Sequence, residues 1–172
     1  MMETGAVFSP DRRYRYVLWR RWGDGPAVNF IGVNPSTADE NDDDPTIRRC
    51  IGFARSWGCD ALVMTNVYPY CGTNPTKAWL RIKNPAASSR ANAEQLLEQA
   101  HGAGLVVAAW GNAPGWLLWE ANRIARELQT AGITLHALRL TKGGNPAHPL
   151  YLPKDLRPQV WDAVDRGKVG VL

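Results

Sequence analysis

Short apolar runs recur along this chain, and a stretch with helical spacing separates each run from the next. The runs are residues 27–33 (AVNFIGV), 61–67 (ALVMTNV), 105–109 (LVVAA) and 133–140 (ITLHALRL). Runs so short and so nearly continuous suit strands buried on both faces. Between the first two, Asp44-Pro45 signals a helix start, with Asp44 as cap and Pro45 at the first helical position. Ile47, Cys50, Ile51 and Ala54 then fall on one face, and Gly58 closes the helix. Asn84-Pro85 repeats the signal for a helix reaching about His101. Residues 112–130 form another, with Leu117, Ala121, Ile124 and Leu128 as its core stripe. Strands that alternate with helices predict a three-layer α/β sandwich around a mostly parallel sheet of four or five strands. Residues 14–20 (YRYVLWR) add a strand of mixed polarity, expected at an edge. A last helix is expected around 155–164. The expected unit is one domain over residues 1–172, because this length holds a real core but not two domains.

Composition narrows the function classes. Hydrophobic residues are 45% and charged residues 21%, which argues against a disordered chain. The net charge of +4, from 20 basic and 16 acidic residues, is too small for a protein that coats nucleic acid by charge alone. Of the basic residues 15 are Arg, the side chain suited to bidentate phosphate contact and to stacking on flat rings. The three cysteines include no CxxC pair, which argues against a disulfide framework or a structural zinc site. No cofactor and no metal are expected. No apolar run reaches the roughly 18 residues of a membrane span. The polar start carries no signal peptide, and a cytoplasmic location is the expectation.

In parallel α/β sheets, ligands bind at the carboxyl ends of the strands. The chemically loaded segments of this chain follow its strands. Gly32-Val33-Asn34-Pro35-Ser36 carries an amide on a pinned loop, suited to orienting a water or a ring edge. An amide does not accept a proton near neutral pH, so Asp39 is the candidate base. Asn66 and Tyr68 follow the second run, Trp110 and Gly111 the third. Lys142, Asn145 and His148 lie in the loop after the last. His148 is a candidate donor to an oxyanion or a phosphate. Tyr68 and Trp110 are candidate stacking rings, and Arg48, Arg49 and Lys142 are candidate phosphate contacts. The run Asp42-Asp43-Asp44 suits the positive end of the following helix, with a metal-dependent phosphoesterase as the lesser alternative.

The segments GVNPSTADENDDDPTIRRC, AAWG and TKGGNPAHPLYLP resemble a bacterial and phage family of proteins of unknown function, DUF1643, over about residues 15–153. More distantly, the order of motifs is similar to the uracil-DNA glycosylase superfamily. Asn34-Pro35 matches its water-positioning loop, Ala109-Trp110-Gly111 its middle motif, and His148-Pro149 its last. The usual Ser after the His-Pro pair is replaced by Leu150. That resemblance implies a base pocket. In it Asn66 reads a base edge, Tyr68 or Trp110 stacks on it, Asn34 holds water and His148 stabilises the departing base. Gly32, Pro35, Ser36, Gly111 and Asn145 would shape the pocket. The expected partner is a nucleobase, a nucleotide or DNA, with hydrolysis of an N-glycosidic bond as the activity. The alternative is a non-catalytic module that binds a nucleotide or a modified base.

Overall fold

The computed structural model describes residues 1–72 and 85–163, with the backbone alone for 85–88. The Asn84 cap, residues 73–83 and the end of the expected 155–164 helix lie outside the described residues. Seven strands form one sheet: β1 (Glu3–Phe8), β2 (Arg15–Arg21), β3 (Ala27–Gly32), β4 (Ala61–Asn66), β5 (Leu105–Ala108), β6 (Leu135–Ala137) and β7 (Gln159–Val160). Among the described residues three helices accompany it: α1 (Pro45–Ser56), α2 (Pro85–Gly102) and α3 (Gly115–Thr130). The strand order is β1-β2-β4-β3-β5-β6-β7. The central strands β4, β3, β5 and β6 are parallel, while β1–β2, β2–β4 and β6–β7 pair antiparallel. The expectation of a mostly parallel sheet with four or five strands is therefore corrected to a mixed sheet of seven. Neither the strand number nor the pairing confirms a uracil-DNA glycosylase-like sandwich.

Two misread segments account for the difference. β1 (ETGAVF) is largely exposed and carries no periodic apolar signal, yet it pairs along the whole of β2. That places β2 inside the sheet, not at its edge. The arginines that made β2 look like an edge are buried there instead. Arg20 is 1% exposed and donates to Asp43 Oδ1 at 2.8 Å and to the Asp39 carbonyl at 2.6 Å. The second segment is 155–163, where β7 replaces the expected helix. Pro158 supplies no backbone N–H and disfavours helical geometry at Arg157. Trp161 donates its backbone N–H to Leu135 at 2.8 Å and packs edge-on against Trp110, ring centroids 5.5 Å apart. Trp161→Ala should cost about 3 kcal/mol of stability, read as a lower urea midpoint.

The helices cover both faces. Ile47, Cys50, Phe53 and Ala54 of α1 pack on Val28, Phe30, Leu62 and Met64. Leu96 and Ala100 of α2, with Leu117, Ala121, Ile124 and Leu128 of α3, pack on Ile31, Val106 and Ala108. Alternate residues of one strand thus feed opposite cores. Asp44 caps α1 by accepting the Ile47 N–H at 2.9 Å, and Gly58 follows the helix at φ +78°. The third helix starts at Gly115, behind Pro114, and not at residue 112. No helix among the described residues is long and apolar enough to cross a membrane.

Candidate functional site

β3 continues into α1 on one face of the sheet, and β5 continues into α3 on the other. The loops leaving these neighbouring strands part, and such a divergence opens a crevice at the carboxyl ends. A cavity of about 310 Å³ lies there, at the small end of ligand-site volumes. Its lining comes from five places in the chain: Gly32 to Asn34 after β3, Met64 and Asn66 at the end of β4, Ala109 after β5, His148 to Tyr151 after β6, and Asp44, Thr46 and Ile47 at the start of α1. Arg15 completes it. Because β2 runs antiparallel to β4, with Leu18 opposite Met64, the first residue of β2 reaches the carboxyl ends of the parallel strands.

Two polar groups of this cavity are buried donors without a hydrogen-bond partner among the described residues. Arg15 is 2% exposed, and its Nη1 donates to the Ala38 carbonyl at 2.5 Å. Its Nε is buried with no hydrogen-bond partner among the described residues, and the guanidinium makes no ion pair among them. Burial pushes its pKa below the ordinary arginine value. Asn66 is also 2% exposed, and its Nδ2 is likewise buried without a partner. Gly32 sits beside it in register, and a Cβ there would come within 2.9 Å of Asn66 Oδ1. Asn34 donates from Nδ2 to the Gly72 carbonyl at 2.6 Å and to the Pro35 carbonyl at 2.9 Å. Both its N–H groups are thereby used, so only its Oδ1 acceptor remains for a ligand or a water.

The His148 ring makes one hydrogen bond among the described residues. Its Nδ1 accepts the Leu150 backbone N–H at 3.3 Å, at the start of the 3₁₀ turn Pro149–Tyr151. The neutral ring therefore carries its proton on Nε2. Burial lowers the pKa, only partly opposed by Asp44. A depressed histidine pKa means the unfolded chain binds more protons just below the ordinary value of about 6.5. Stability from this site is full above that pH and falls as pH drops through it. Denaturation midpoints between pH 7.5 and 5.5 should show this loss, and His148→Gln should flatten it.

Most of the other expected site residues fall elsewhere. Ser36 lines the cavity, while Pro35 is buried beneath the loop. Asp39 does not line it: its Oδ1 accepts the backbone N–H groups of Asn41 and Asp42 at 2.8 and 2.9 Å. Trp110 is 2% exposed and belongs to the core under α3. Tyr68 lines a different cavity, with Trp116 and Asn92. Gly111 supports the site indirectly. Its φ is +68°, and a Cβ there would meet His148 Cβ at 3.0 Å. Asn145 accepts the Thr141 backbone N–H on its carbonyl and donates its own N–H to Thr141 Oγ1, inside its own loop. Lys142 is exposed and lines neither cavity. Arg48 and Arg49 line a neighbouring groove of about 650 Å³ with Lys154, and that groove meets the cavity at Leu150. The acidic run is taken up by structure: Asp43 pairs with Arg20 and Asp44 caps α1. No cluster of three metal-ligating side chains occurs among the described residues.

Sequence reasoning missed Arg15, Thr46, Tyr151 and Lys154, and it read Asp44 as a cap or, in the lesser alternative, part of a metal site, not as lining for this cavity. Tyr151, 83% exposed, is the one aromatic ring on the cavity among the described residues apart from His148, from which it lies 5.8 Å away. Fold and site together define an α/β protein with a polar cavity at its strand ends that holds two unpartnered buried donors. The family model for a protein of unknown function, DUF1643, matches residues 15–150, and the chain belongs to that family. No curated protein and no solved structure matches the chain. The likeness to uracil-DNA glycosylases finds no support in these comparisons.

Proposed function

We propose that the cavity at the strand ends binds a small nucleotide or nucleobase, and that the protein is a binding module and not a glycosidase. One observation carries this reading. Two buried donors without partners, Arg15 Nε and Asn66 Nδ2, line the same cavity. A buried unpaired donor costs about 1–3 kcal/mol, so two in one cavity favour a ligand that brings acceptors. Asn34 Oδ1 supplies the opposing acceptor, and the exposed Tyr151 ring supplies a stacking face at the mouth. The phosphates of a longer ligand would run toward Arg48, Arg49 and Lys154. Against hydrolysis, Asp39 is engaged outside the cavity and neither expected stacking ring reaches it.

The test is a calorimetric titration with nucleobases, nucleosides, nucleotides and short single-stranded oligonucleotides, with chromatography for released base. Binding without release of base is expected. Base release that disappears in Asn34→Ala would restore the glycosidase reading.

A further inference from the structure

We infer that the ligand presents an oxyanion, a phosphate or a carboxylate, to Arg15 at the inner end of the cavity, beside the start of α1. This deepens the nucleotide reading and rests on it for the identity of the rest of the ligand. A guanidinium taken out of water needs an anion nearby, because desolvation without pairing is expensive. Arg20, on the same strand, has its carboxylate in Asp43. Arg15 has a carbonyl on one nitrogen and nothing on Nε. The carboxylate in this cavity, Asp44, is committed to capping α1 and makes no ion pair with Arg15. Asn66 Nδ2 and the Nε2–H of His148 add two neutral donors to the same cavity, a set matched to an oxyanion's several acceptor positions.

Burial also orients the ligand. Arg15 is 2% exposed and Tyr151 is 83% exposed, and both line the cavity. The anionic group therefore enters first and the base remains at the mouth, against Tyr151. In a glycosylase-like arrangement the base would be innermost.

The probes are the four ribonucleoside 5′-monophosphates, their nucleosides, inorganic phosphate and succinate, titrated into wild type, Arg15→Met and Arg15→Lys. Monophosphates should bind at least about 10-fold more tightly than nucleosides in wild type. Inorganic phosphate should compete with them and raise the thermal midpoint more than chloride does at equal ionic strength. Arg15→Met should close the gap between monophosphate and nucleoside, and Arg15→Lys should narrow it. The competition and midpoint measurements need only wild type, so they hold even if a variant does not fold. Succinate binding without any nucleotide binding supports the oxyanion site and overturns the nucleotide reading. A gap that persists in Arg15→Met overturns the oxyanion site and leaves the nucleotide reading standing. No binding by any probe overturns both.

Discussion

Asp43→Ala should destabilise the protein by about 3 kcal/mol. The reason lies in its partner. Arg20 is 1% exposed in the interior of the sheet, and Asp43 holds it by an ion pair of 2.8 Å. Removing one member of a buried pair leaves the other charge uncompensated, which typically costs 3–5 kcal/mol. The lower end applies because Asp43 is 20% exposed and Arg20 keeps the carbonyls of Trp19 and Asp39. The double variant Arg20→Met/Asp43→Ala should be more stable than Asp43→Ala alone, since it removes the stranded charge. Urea unfolding of the three proteins measures this directly. A double variant less stable than Asp43→Ala would show that the packing and hydrogen bonds of Arg20, and not its charge, dominate.

The second large effect separates binding from stability. Asn66→Leu should weaken nucleotide binding about 5- to 150-fold, the equivalent of roughly 1–3 kcal/mol. The same change should leave the thermal midpoint unchanged or raise it, because Leu replaces a buried donor that has no partner. A residue kept for structure gives the opposite pattern. Gly32→Ala offers a milder version. Its Cβ would come within 2.9 Å of Asn66 Oδ1 and 3.5 Å of Met64 Sδ, so the Asn66 amide must shift. Weaker binding with a folded protein is the expected result.

Much of the central fold was legible because it rests on local signals. The apolar runs at β3, β4 and β5 lie between turn residues, and the Asp44-Pro45 start of α1 is both a cap and a first-turn proline. Asn34, Asn66 and His148 were legible for a topological reason: they follow parallel strands, whose carboxyl ends gather ligand loops. Arg15 was not, because a charged residue in a strand of mixed polarity looks like an edge residue. Its guanidinium is taken up by the distant loop after β3, where it meets the Ala38 carbonyl. Trp110 failed by one residue. Ala109 faces the cavity and the next side chain enters the opposite core, since neighbours in extended chain point to opposite faces. Tyr151, which does line the cavity, was hidden in a loop with no periodicity.

The central claim is that the strand-end cavity is a nucleotide site. Isothermal titration of a nucleoside monophosphate into wild type and Asn66→Leu, with thermal midpoints measured in parallel, tests it most directly. A nucleotide site predicts saturable binding to wild type, loss of affinity in Asn66→Leu, and an unlowered midpoint for the variant. Equal affinity in both proteins would place the ligand elsewhere, and no heat of binding to wild type would contradict the claim outright.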